Sequence, residues 1–165
     1  GLADIDFEGD IVEDAETFSE NALIKARVLH AHTGLAVLAD DSGLEVDFLN
    51  GAPGVRTARY AGENATSEEN ITKLMGALKD VDVKKRGARF QCALAWITNN
   101  SEEFVFEGSC DGAISETVRG AGGFGYDPVF IPSGFDISFA EMTGDEKKVL
   151  SHRGKALMLF SNHIK

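Results

Sequence analysis

Cysteine is scarce in this chain: Cys92 and Cys110 are the two present among 165 residues. They show no metal-ligand spacing, and two cysteines in a chain this long do not make a disulfide framework. A reducing, cytoplasmic setting is therefore the expectation. Positive charge is also short, with 16 Lys and Arg against 27 Asp and Glu and a formal net charge of −11. That balance argues against a general binder of nucleic acid or anionic membrane, either of which needs a basic footprint. No apolar run approaches membrane-spanning length. The opening Gly1-Leu2-Ala3-Asp4-Ile5-Asp6 lacks the basic and apolar regions of a signal peptide. If the ligand is anionic, the few cations must be gathered locally, with a metal as the natural helper.

What is present is enough for a globular protein. A chain of this length makes one domain, or one domain in two lobes, and buries roughly 70% of its unfolded surface. Hydrophobic residues make up 43% of it, so a sizeable core needs no staples.

The stretch Leu35-Ala36-Val37-Leu38-Ala39-Asp40-Asp41-Ser42-Gly43 reads as a short buried strand that ends in two carboxylates and a Ser-Gly turn. Acids at the carboxyl end of a strand in an α/β sheet are well placed for work. Successive strand side chains point to opposite faces, so Asp40 and Asp41 have separate jobs: one faces a cleft, the other caps the turn. Hard oxygen ligands of this kind suit Mg²⁺, which is held by one or two carboxylates plus substrate phosphates. The alternative is an Asx-type turn with a solvated acid.

Upstream, residues 1–12 are acidic and have room for an edge strand. Thr17-Phe18-Ser19-Glu20 fits a capping box, and residues 21–32 form a mostly buried helix stopped by Gly34. Asn21 and Lys25 make a polar stripe on it. Gly51-Ala52-Pro53-Gly54 is a loop, residues 57–60 are short and extended, and Ser67 is the N-cap of a helix running to about Leu78, with Glu69 and Asn70 in its first turn. Lys84-Lys85-Arg86 reads as a solvated basic face. Residues 89–97 alternate, with Phe90, Cys92, Leu94 and Trp96 on one face; across a turn at 98–101, Phe104, Phe106 and Cys110 continue a return strand, giving a hairpin with a core aromatic stripe.

Two further stretches stand out. Gly120-Ala121-Gly122-Gly123-Phe124-Gly125-Tyr126-Asp127-Pro128 has glycines spaced like a dinucleotide loop, but the Val129-Phe130-Ile131 that follows is a strand, and such loops must open a helix. What remains is a turn that presents an aromatic, Phe124, and an acid, Asp127, to a planar ligand, or else a glycine-rich bend. Thr143-Gly144-Asp145-Glu146 is another capping box. Ser151-His152-Arg153-Gly154-Lys155 then begins the last helix with cations where the helix dipole prefers acids. Local rules tend to break at functional sites, and a basic helix start with free amides suits an anion or an electron-rich carbonyl.

Together, Glu13-Asp14-Ala15-Glu16-Thr17-Phe18-Ser19-Glu20-Asn21-Ala22 with Lys25, Ala39-Asp40-Asp41-Ser42-Gly43-Leu44, Gly51-Ala52-Pro53-Gly54, Phe124-Gly125-Tyr126-Asp127-Pro128 and Ser151-His152-Arg153-Gly154 closely resemble the Ham1/RdgB family of inosine triphosphate pyrophosphatases. The similarity runs over residues 7–165, with five motifs in the right order. The resemblance implies an α/β fold with an elongated mixed β-sheet, flanking helices, two lobes around a nucleotide cleft, and a homodimer. It implies Mg²⁺-dependent hydrolysis of non-standard purine nucleoside triphosphates (ITP, dITP, XTP) to the monophosphate and pyrophosphate. By motif, Glu13 and Asp41 would hold the metal, and Asp41 would accept a proton from the attacking water. Ser42, Lys25 and Lys147 would contact substrate, the lysines chiefly its phosphates. Phe124 would stack on the base with Gly125, Tyr126 and Asp127 around it, and His152 and Arg153 would read the purine edge.

Two positions depart from the pattern. Ala15 stands where the family usually has glycine, and the family's first strand and Ser/Thr-Gly-Asn-x-x-Lys turn lie upstream of Gly1. The expectation is thus a single two-lobed domain over 1–165 without that strand, turn and helix. Two rival readings stay open: a catalytically impaired nucleotide-binding remnant, and a Maf-like nucleotide pyrophosphatase of different base preference.

Overall fold

The computed structural model describes residue 7 and residues 9–165. Four helices and four strands follow one another as α1 (Phe18–Thr33), β1 (Val37–Val46), α2 (Ser67–Ala77), β2 (Gly87–Ile97), β3 (Glu103–Ile114), β4 (Phe130–Pro132), α3 (Gly144–Leu150) and α4 (His152–His163), with short 3-10 turns between them. The strands form one sheet in the order β1-β2-β3-β4. The expected α/β fold with flanking helices is the one observed. All strand pairings among the described residues are antiparallel, where a mixed sheet was expected.

Local chemistry sets the helix ends. Thr17 accepts the amide of Glu20 at the start of α1, and Gly34 closes it in the left-handed region at φ 68°. Reciprocal capping boxes open α2 at Thr66 with Glu69 and α3 at Thr143 with Glu146. The cap of α2 is thus Thr66 and not the expected Ser67, because only Thr66 has its partner Glu three residues on. Inside the sheet, β2 is covered on both faces. Its Ala93 and Ala95 meet Ala22 and Ala26 of α1, and its Cys92 and Leu94 meet Ala156 of α4. Small residues on the α1 side let that helix lie close. A larger core at the other end joins Leu44, Phe90, Tyr126, Phe130 and Phe139 to α2.

Several local expectations are corrected by these long-range contacts. β1 does not end at Asp40-Asp41; it pairs with β2 without a break from Val37↔Ile97 to Val46↔Ala88. The partner strand satisfies the backbone groups that a Ser-Gly turn would have had to satisfy locally. Gly43 allows this because a Cβ there would come within 2.6 Å of the Gly54 carbonyl and 2.7 Å of the Phe18 ring. α1 buries only Asn21, Ala22 and Ala26, because it covers part of the sheet with one narrow face. Residues 57–60 are not extended; the 3-10 turn Gly54–Arg59 leads into a corner held by Asn70, which binds Ala58 O and Ala61 N. Arg86 is no solvated cation. It is buried and donates to the carbonyls of Leu78, Val81 and Ser115. The edge strand expected within 1–12 is absent at residues 7 and 9–12; residues 1–6 and 8 lie outside the described residues.

Candidate active site

Asp40 and Asp41 emerge on opposite faces of β1, as strand alternation requires. Neither caps a turn. Their cross-strand partners identify the faces: Asp41 is opposite Ala93, in the α1 layer, and Asp40 is opposite Leu94, in the α4 layer.

On the α1 face, the Lys25 ammonium donates to Asp41 Oδ1 at 3.0 Å and to Glu13 Oε2 at 2.9 Å. Glu13 belongs to an irregular segment that is tied down twice. Buried Asn21 accepts the amide of Ala15 at 3.0 Å, and Arg59 Nη2 donates to the Glu13 carbonyl at 3.1 Å. Burial disfavours the Lys25 ammonium, but the hydrogen bonds and charges of Glu13 and Asp41 outweigh it, so its pKa lies above the usual value. Burial pushes the Asp41 carboxyl up despite the pull of Lys25. Two carboxylates share one ammonium, and Asp41 Oδ2 is buried with no hydrogen-bond partner. An orphaned carboxylate oxygen beside a second carboxylate fits a hard cation of the Mg²⁺ type, which needs only one or two protein carboxylates and takes its other ligands from water and phosphate. Among the described residues no cluster of three or more His, Cys, Asp or Glu forms a larger cage.

On the α4 face, the first turn of the last helix carries the cations singled out in the sequence. Ser151 caps it by accepting the amide of Gly154. Arg153 is held by Asp40 Oδ2 through Nε at 3.1 Å and Nη2 at 2.7 Å, and Nη2 also donates to Ser42 Oγ at 3.0 Å. His152 is buried and stacks on Phe90 with ring centroids 4.8 Å apart and planes 12° from parallel. Burial, reinforced by the positive charges of Arg153 and Lys147, pushes its pKa down to about 3, so the imidazole is neutral at physiological pH. Its Nδ1 is buried without a partner.

The glycine-rich stretch forms the third wall. Phe124 is 63% exposed. Its amide donates to Asp127 Oδ2 at 2.8 Å, and the same buried carboxylate takes the ammonium of Lys147. That ammonium lies 4.6 Å from the Phe124 ring centroid, and the Arg153 guanidinium carbon 5.7 Å from it. A cavity of about 290 Å³ is bounded by Ser42, Phe90, Phe124, Gly125, Tyr126 and His152. Apolar walls with a few convergent polar groups suit a planar heterocycle. A second cavity, about 640 Å³, lies over Glu13, Lys25 and Arg59.

The structure thus gathers Glu13, Lys25 and Asp41 in one cluster, and Ser42, Phe124, Gly125, Asp127, Lys147, His152 and Arg153 in another, adjoining through consecutive residues of β1. Tyr126 lines the cavity beside Phe124; its hydroxyl donates to Thr57 O at 3.0 Å and burial drives its pKa strongly up. Lys147, expected at phosphates, lies beside Phe124 and Asp127. Sequence reading missed Arg59, which gave no signal, and the partnership of Asp40 with Arg153, for which the adjacent acids were the only hint.

The sequence profile of the Ham1 family matches residues 1–163. A dITP/XTP pyrophosphatase of Bacillus licheniformis is 48% identical over 160 residues, covering 97% of this chain and 82% of the relative. One from Shewanella oneidensis is 50% identical over 151 residues, covering 90% and 73%. The solved structure of the Staphylococcus aureus Ham1 protein superposes with a TM-score of 0.90 at 39% identity, covering 95% of this chain and 81% of that one.

Proposed function

This chain belongs to the Ham1 family, and we propose that it hydrolyses non-standard purine nucleoside triphosphates (ITP, dITP and XTP) to the monophosphate and pyrophosphate with the help of Mg²⁺. The observation that carries this reading is the buried, unpartnered Asp41 Oδ2 beside Glu13 and Lys25, one residue along β1 from the side chain that holds Arg153.

In this reading Glu13 and Asp41 hold Mg²⁺, which supplies charge stabilisation at the phosphates. Asp41 orients the attacking water and takes its proton. A bond forms from the water oxygen to the α-phosphorus, the bond to the bridging oxygen breaks, and pyrophosphate leaves. Lys25 stabilises the phosphate oxygens by position and charge. Phe124 stacks on the base. Arg153 directs donors to the 6-keto oxygen of hypoxanthine or xanthine, and neutral His152 offers one N–H or one lone pair according to tautomer. The 6-amino group of adenine meets the Arg153 donors with a donor, and a mismatch that leaves buried groups unpaired can discriminate by about 10⁴.

The same reading places the protein in the cytoplasm as a homodimer. Its two cysteines, both free and buried, suit a reducing compartment, and no helix among the described residues is long and apolar enough to cross a membrane. The test is pyrophosphate release from dITP, XTP and dATP with and without Mg²⁺. Release from the first two that requires the metal is expected; equal rates on dATP, or binding of IMP without any turnover, would overturn the assignment.

A further inference from the structure

We infer that Asp40 is a positioning residue for purine discrimination, acting through Arg153, and that it has no part in the bond-breaking step. The inference rests on the proposed pyrophosphatase reading and gives a role to an acid that reading leaves unused.

The geometry separates the two adjacent carboxylates. Asp41 faces α1 and its lysine; Asp40 faces α4 and takes two guanidinium nitrogens of Arg153 on one oxygen, at 3.1 and 2.7 Å. With Nη2 also bound to Ser42 Oγ at 3.0 Å, Nε and Nη2 are committed, and Nη1 makes no hydrogen bond among the described residues. One nitrogen, with its donors in the fixed plane of the guanidinium, is therefore free for a ligand.

Charge supplies the second part of the argument. Arg153 lies in the first turn of α4, where the helix dipole disfavours a cation. It also shares the Phe124 ring with Lys147. Each cation has its own carboxylate, Asp127 for Lys147 and Asp40 for Arg153. Paired in this way, Arg153 presents a donor with little net charge, suited to a neutral carbonyl on a base. Without Asp40 the guanidinium would be repelled by both the helix terminus and Lys147, and would turn toward water. His152, next in the chain, needs no such brace because it is neutral and clamped on Phe90.

Steady-state kinetics of the full chain on dITP and dATP test this, using Asp40→Asn, Arg153→Ala and the double variant. Asparagine keeps the shape and the strand pairing but not the charge. For Asp40→Asn we expect KM for dITP to rise about tenfold, kcat to stay within about twofold, and the dITP:dATP preference to fall by the same factor as KM rises. The double variant should be no worse than Arg153→Ala alone, since the two residues act as one unit. A purely structural role for Asp40 would lower the melting temperature and the active fraction equally for both substrates. Unchanged KM and preference in Asp40→Asn, or additive losses in the double variant, would overturn the inference. Absence of any dITP preference in the unaltered protein would instead overturn the pyrophosphatase reading, so the two failures are distinguishable. Should Asp40→Asn not fold, Asp40→Ser in the same cycle gives the same comparison.

Discussion

The main-chain carbonyl of His152 rests against Gly108 of β3, in the space a Cβ would occupy, and the amide of Ala156 lies 2.6 Å from that same point. The start of α4, which carries His152 and Arg153, is therefore seated by the absence of a side chain on the neighbouring strand.

Gly108→Ala should lift the first turn of α4 away from the sheet. Overpacking of this kind costs about 1–3 kcal/mol, which for a chain of this size lowers the melting temperature by roughly 2–4 °C per kcal/mol. KM for dITP should rise with it, because His152 and Arg153 move together. Thermal denaturation and steady-state kinetics check both; a variant with unchanged KM would uncouple the helix seat from the site.

Asp41→Asn should lower kcat by a factor of roughly 10²–10⁴, the range attributed to a lost general base, while leaving the fold in place. Burial already disfavours the ionised form of this carboxyl, so a neutral amide is tolerated. An active Asp41→Asn protein would remove this residue from the chemistry.

Chelation with EDTA should stop pyrophosphate release, and added Mg²⁺ should restore it. Arg59→Met, which keeps the stem but loses the hydrogen bond to the Glu13 carbonyl, should raise the Mg²⁺ needed for half-maximal activity by about tenfold, a common cost of losing an outer-shell support. KM for dITP at saturating metal should be little changed. A metal requirement identical to the unaltered protein would show that Glu13 is held without Arg59.

His152 makes stability depend on acid. Its folded-state pKa, about 3, lies below the ordinary 6.5, so over that interval the unfolded chain binds more protons. The stability it contributes is fully present above pH 6.5 and is lost as pH falls toward 3, with a slope approaching about 1.4 kcal/mol per pH unit. His152→Gln should therefore show a shallower loss of melting temperature between pH 6.5 and pH 4. Parallel curves for the two proteins would argue against a buried neutral imidazole.

What could be read along the chain was whatever neighbouring residues settle among themselves. The caps at Thr17 and Thr143, the stop at Gly34 and the β2–β3 hairpin all depend on contacts a few residues apart, and they stand in the structure. The opposed directions of Asp40 and Asp41 follow from strand geometry alone. The unusual cations at the start of α4 were equally visible, because they break a local rule.

The rest needed partners that no local pattern names. β1 runs through its two acids because β2, some fifty residues later, satisfies its backbone. Arg86 is buried because three carbonyls converge on it from residues 78, 81 and 115. Arg59 reaches Glu13 across 46 positions, and Arg153 reaches Asp40 across 113. By itself the amino-acid sequence determined which groups are available, where helices begin and end, and which side chains share a strand face, since those follow from short-range hydrogen bonds and periodicity. The tertiary structure alone decided which acid meets which base, because in a folded chain the balance of burial and charge that sets each group's state is made by residues distant in sequence.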